Sequence, residues 1–122
     1  MLRYTKDHEW VRMDGEIATI GITPYAQEKL GDLVYVELPK IGAKFTQGAA
    51  IAVVESVKAA SDVYAPISGE VIAVNDLLTK EPELVNSEPT GEGWLFKMKI
   101  SNAVELASLL DEIAYRALTG DH

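Results

Sequence analysis

Through its first hundred residues the chain holds no apolar segment longer than a strand, because Gly or Pro cuts the alternating pattern every few positions. Long helices are excluded there. Segments 9–13 and 16–22 flank Asp14-Gly15, a dipeptide suited to a two-residue hairpin turn with positive φ at both central positions. Thr23-Pro24 then supplies a capping hydroxyl and a first-turn proline for a short helix over 25–30, and Gly31 stands just past it as a left-handed stop. Residues 33–38 alternate, are rich in β-branched side chains and end at Pro39. Gly42 and Gly48 bracket a further short extended piece around Phe45. Segments 50–57 and 60–64 read as two strands with very little between them, so Lys58 falls near a hairpin tip. Pro66-Ile67-Ser68-Gly69 turns the chain into another strand over 70–74.

Residues 76–93 are polar and irregular, with one helical turn expected at 76–79, and 94–100 alternates as a final strand. Asn102 and Glu105 then resemble a capping box. Leu106, Leu109, Leu110, Ile113, Ala114 and Ala117 recur at helical spacing, which predicts one amphipathic helix over about 102–118. The expectation is a mainly β sandwich or flattened barrel with a short internal helix and a C-terminal helix. With 122 residues, the chain is expected to form a single domain over 1–122.

Composition narrows the chemistry. There is no Cys, so disulfides, thiolate metal sites and cysteine nucleophiles are absent, and only His8 and His122 carry imidazole. Eleven Lys plus Arg stand against 19 Asp plus Glu, a net charge of −8 that disfavours nucleic acid and anionic membranes as partners. No apolar run approaches the length of a membrane span, and the start of the chain lacks a signal-peptide core. A chain beginning at Met1 in this way suits a bacterial cytoplasm, a mitochondrial location requiring a removed transit peptide. His8-Glu9 opens like a zinc-protease motif, but Arg12 stands where the second histidine belongs, and no metal site is expected. Gly91-Glu92-Gly93 lacks the third glycine and the preceding strand of a dinucleotide site.

Lys58 is the residue that remains. On a tight hairpin between small-residue strands, flanked by Val57, Ala59 and Ala60, its ammonium would be held in place and open to a modifying enzyme's active site. An exposed lysine also serves simply to solubilise or protect an edge. The residues alone leave both roles open.

The run ESVKAASDVYAPISGEV at 55–71 resembles the attachment segment of the lipoyl carrier family. HEWV at 8–11, ATIGIT at 18–23, AQEKLGDLVYVELP at 26–39 and GWLFKMKI at 93–100 are similar to that family's glycine cleavage branch, in order and over almost the whole chain. The resemblance implies a barrel-sandwich hybrid in which Lys58 carries lipoate in amide linkage, in a carrier that is not itself an enzyme. It implies four partners: a pyridoxal-phosphate glycine decarboxylase, a tetrahydrofolate-dependent aminomethyltransferase, dihydrolipoamide dehydrogenase and a lipoate-attaching enzyme. It further implies that Glu9 and Asp62 line a cleft for the aminomethyl-loaded arm, and that Glu55 and Ser56 help the attaching enzyme recognise the site. Asp7 stands where some relatives carry a serine. A monomer is expected. Two other readings remain, a relay passing lipoate to other lipoyl enzymes and an unmodified β-rich interaction module.

Overall fold

The computed structural model describes residues 1–120, and among them nine strands form two antiparallel sheets. Six strands make the larger sheet: β1 (Leu2–Tyr4), β2 (Glu9–Asp14), β3 (Ile17–Ile22), β5 (Lys44–Phe45), β8 (Gly69–Val74) and β9 (Phe96–Ile100), in the order β1-β2-β3-β9-β8-β5. The smaller sheet contains β4 (Leu33–Glu37), β6 (Ala50–Ser56) and β7 (Ala60–Tyr64), with β6 in the middle. Both sheets contribute to one apolar core, Val11, Ile20 and Phe96 from the larger meeting Val36, Val54 and Val63 from the smaller. The molecule is mainly β, as expected, and its sheets remain open at their edges instead of closing into a barrel.

Local chemistry explains the better-anticipated elements. Thr23 Oγ1 accepts the Ala26 N–H at 3.2 Å and starts helix α1 (Pro24–Leu30), with Gly31 as its stop. The first hairpin differs from expectation by one residue. Pairing runs on through Asp14, opposite Ile17, so Gly15 and Glu16 form the turn, and of the two only Gly15 (φ 62°) takes positive φ. Behind that hairpin Trp10 is fully buried opposite Gly21, and its Nε1 donates to the Pro89 carbonyl at 2.9 Å. A Cβ on Gly21 would lie 2.6 Å from the indole, so glycine is what lets the ring lie flat on its neighbour strand.

The segment between β8 and β9 holds two short helices, α2 (Leu77–Lys80) and α3 (Leu84–Ser87), instead of one helical turn. Leu78 and Val85 bury completely and hold these helices to the core. At the other end β1 has no counterpart in the expectations, since a three-residue strand exists only through its pairing with β2.

The C-terminal helix is corrected twice. Instead of running unbroken over about 102–118 it divides into a 3-10 helix (Ala103–Ser108) and helix α4 (Glu112–Thr119). Leu110 breaks it: its N–H donates to the Tyr4 carbonyl at 2.7 Å and its carbonyl accepts the Tyr4 N–H at 2.8 Å, so neither group is free for a helix. Asp111 then caps α4 through the Ala114 N–H. Nor does the anticipated apolar stripe face the core beyond Leu109, which packs against it. Ile113 is 81% exposed and Ala114 and Ala117 are exposed, whereas Tyr115 buries and stacks on Tyr4 at 4.6 Å between centroids. Asn102 caps the 3-10 helix as expected, but Glu105 does not complete the box. Its carboxylate takes the Ser68 N–H and hydroxyl, pinning this segment to the start of β8.

Candidate functional site

Lys58 occupies the turn between β6 and β7, where a single hydroxyl organises the backbone. Ser56 Oγ accepts the N–H groups of Lys58 (3.2 Å) and Ala59 (3.0 Å) and donates to the Ala59 carbonyl (3.1 Å), while the Ser56 N–H also donates to Ala59 O at 2.8 Å. Ser56 itself is buried. The Lys58 and Ala59 donors of a three-residue tip are thereby satisfied inside the protein, and Val57 (74% exposed), Lys58 and Ala59 protrude without disturbing either sheet.

A second layer supports the turn from below. The Val57 N–H donates to Asp32 O at 3.2 Å, joining the lysine turn to the loop between α1 and β4. The Lys58 side chain lies over Gly31, so that a Cβ there would stand 3.3 Å from its Cε. Gly31 has φ 85° and ψ −164°, a conformation essentially restricted to glycine. Beside the turn, Glu55 pairs with Ala60 on β7 and Tyr35 on β4 and is half-buried, while Tyr35 and Ala60 are exposed.

The carboxylates named by the sequence occupy separate places. Glu9, at the start of β2, is 2% exposed and lines a hollow of about 360 Å³ with Thr5, Asp7, Gln47, Tyr64 and Leu110. Its Oε1 accepts the Thr5 hydroxyl at 2.6 Å and its Oε2 the Tyr64 N–H at 3.0 Å. Burial pushes its carboxyl up from 4.5 to about 6, the two hydrogen bonds resisting and the nearby Asp7 charge adding to the rise. Asp62 lies two residues before Tyr64 on β7, opposite Val53, and lines a shallower hollow with Glu37, Pro39 and Val53. The structure thus places Glu9 and Asp62 near one strand but in different hollows.

His8 sits at φ 70°, the one non-glycine residue with positive φ among those described. Its ring Nδ1 is 2.8 Å from the Tyr115 hydroxyl, which in turn lies 2.6 Å from Thr23 Oγ1. Burial lowers its basicity, against an opposing pull from Asp7. The histidine is a structural joint between β2, α1 and α4. His122 lies outside the described residues. Among the described residues, no group of three or more His, Asp or Glu is placed to hold a metal ion.

This arrangement has close counterparts. The glycine cleavage H-protein family model matches residues 2–122. The chain belongs to that family. The H protein of Methylacidiphilum infernorum is 58% identical over 118 residues, covering 97% of this chain and 92% of that protein. The H protein of Thermotoga maritima is 58% identical over 116 residues, covering 95% and 94%. The crystal structure of an H protein from Mycobacterium marinum superposes with a TM-score of 0.87 at 34% identity, covering 98% of this chain and 96% of the other. Membership in the H-protein family fits the mainly β fold.

Sequence reasoning missed Asn86, in α3. Its amide reaches the loop beneath Lys58, and nothing singled it out from Ser87, Glu88 and Thr90 in a polar segment read as irregular.

Proposed function

We propose that the chain is a lipoyl carrier of the glycine cleavage system, with lipoate joined to Lys58 by an amide bond. The observation that carries this reading is the Ser56-organised turn, which projects one unpaired lysine on a rigid foot in a chain of the H-protein family. The residues fit the group: the Lys58 side chain makes no hydrogen bond or ion pair among the described residues, and Val57, Ala59 and Ala60 around it are exposed, so an attaching enzyme can close over the tip.

When bound, lipoate supplies a disulfide and dithiol able to take up the aminomethyl group of glycine. The chain would present Lys58 in turn to glycine decarboxylase, to the aminomethyltransferase and to dihydrolipoamide dehydrogenase, and carry out no bond chemistry of its own. It would do so as one monomeric carrier unit in the cytoplasm. Glu9, with its carboxyl near 6, is mostly ionised at neutral pH and can hold a cationic amine in its hollow through charge-assisted hydrogen bonds. Asp62 would meet such a group from the other hollow along β7. Ser56 spends its hydroxyl on the turn, so its part in recognition is to set the shape of the tip, while Glu55 offers the attaching enzyme a carboxylate three residues before the lysine.

Intact mass and peptide mapping of protein from lipoate-replete cells, beside Lys58→Ala, test this reading. One lipoyl-sized increment confined to Lys58 supports it. No increment, where a known lipoyl domain is modified, leaves a β-rich module with an ordinary surface lysine.

A further inference from the structure

Asn86 belongs to a four-residue helix well away in sequence from the lysine turn, yet its side-chain amide is spent almost wholly on the loop beneath that turn. Its Oδ1 accepts the Leu33 N–H at 2.8 Å, and its Nδ2 donates to the Gly31 carbonyl at 2.8 Å and to Gln27 Oε1 at 2.9 Å. It therefore grips the loop on both sides of Asp32. The Asp32 carbonyl, between the two gripped residues, is the acceptor of the Val57 N–H, and Gly31 is the surface on which the Lys58 stem lies. Gly31 adopts a backbone conformation outside the basins of ordinary residues, and glycine there leaves the loop wide freedom unless something fixes it.

The geometry points to Asn86 as a positioning residue for modification of Lys58: through the loop at 31–33 it fixes the foot of the lysine turn for the attaching enzyme. The inference rests on the reading of Lys58 as the attachment site. The route is short and continuous, from the α3 amide to the loop, from Asp32 O to Val57 N, and from Val57 to the next residue. It also accounts for a polar side chain placed between α1 and α3, where an apolar residue of similar size would pack as well. Only a side-chain amide of this length offers an acceptor to Leu33 and a donor to Gly31 at once. Asp at this position keeps the acceptor but turns a second oxygen toward two oxygens.

Asn86→Ala, Asn86→Asp and Gln27→Ala test it, with two readouts on each. In the apo protein, amide hydrogen exchange at Val57 should quicken about tenfold in both Asn86 variants, the equivalent of losing one hydrogen bond, while amides of β3, between two partner strands, keep their wild-type protection. With purified attaching enzyme, KM for the apo protein should rise about fivefold or more at a kcat within about twofold of wild type, as expected when a site is misplaced and its chemistry intact. Gln27→Ala, which removes one leg of the grip and leaves the loop held, should leave both readouts near wild type. The inference is overturned if Val57 and β3 amides quicken by the same factor, which is general destabilisation, or if KM stays unchanged in both Asn86 variants. Wild-type protein that accepts no lipoate would sink the attachment reading and this role with it. Selective quickening at Val57 would then still mark the grip itself as real, so the two failures are told apart.

Discussion

Glu9 reaches from the larger sheet to the smaller and accepts the Tyr64 backbone N–H at 3.0 Å, on the edge strand of the three-stranded sheet. That N–H has no strand beyond it to pair with, so the carboxylate does the work of a missing neighbour. The same carboxylate lines the hollow together with Lys6 and Asp7, and structural and chemical duties therefore share one side chain. A carboxyl raised in the folded state favours folding most when protonated, and its contribution is present below the ordinary value and lost as pH rises through the folded value.

Glu9→Gln should reveal that contribution. The move from 4.5 to about 6 corresponds to about 2 kcal/mol of stability, present near pH 4 and gone above about pH 7. Denaturant unfolding of wild type across this window should show the decline, and the Gln variant, which can accept from Tyr64 and donate to Thr5, should lack it. His8 works in the opposite sense, because burial lowers it and its contribution fades as pH falls below 6.5. The difference between wild type and Glu9→Gln isolates the carboxyl. Parallel pH profiles for the two proteins would refute the assignment.

Ser56→Ala leaves the Lys58 and Ala59 N–H groups without their acceptor. The loss should cost about 1–2 kcal/mol and slow lipoate attachment at Lys58, since the tip can then adopt several shapes. Urea unfolding and a mass-resolved attachment time course measure both. Ser56→Thr, which restores the hydroxyl, should recover most of each.

Gly31→Ala places a side chain in a glycine-only conformation and 3.3 Å from the lysine stem. The expected cost is about 1–3 kcal/mol. Attachment at Lys58 should fall as well, because the new methyl displaces the stem from its resting place. Wild-type attachment at full folding would show that the stem does not rest there in solution.

Tyr115→Phe keeps the stack on Tyr4 and removes the hydroxyl shared by His8 and Thr23. About 1–2 kcal/mol should be lost. The helix should stay formed in circular dichroism while urea unfolding reports the loss, and the His8 ring, still buried, should keep its lowered basicity. Wild-type stability in the Phe variant would mean that the hydroxyl shared by His8 and Thr23 holds nothing together.

What could be read from the sequence was whatever short-range chemistry decides. The Thr23 cap, the Gly31 stop and the lysine hairpin each depend on residues within a few positions of one another, and each stands where its residues predicted. Elements decided at long range were hidden. Residues Leu2–Tyr4 form a strand only because β2 lies beside them, and the C-terminal helix breaks only because Leu110 bonds to Tyr4, more than a hundred residues earlier. Helical spacing in that segment was real, but the anchor turned out to be an aromatic stack, which periodicity does not encode. Of the candidate site, the residues placed Lys58 at a hairpin tip, whereas Glu9 was named only through the resemblance and its burial was not readable. That Glu9 and Asp62 line different hollows was not readable either, because Glu9 comes from β2 in the other sheet and meets β7 only through the long-range bond to Tyr64.

The lysine turn is held through its backbone: Ser56 satisfies the Lys58 and Ala59 amides and Asp32 that of Val57, and no charged group among the described residues pairs with the Lys58 ammonium. Acylating that amine consequently gives the fold nothing to respond to. An enzyme gripping only the body of the carrier would meet one and the same surface on a bare, a freshly modified and a spent molecule, and could not sort them. Sorting then falls to whatever touches the arm, and a bare carrier would compete with modified ones for every partner that reads the body alone.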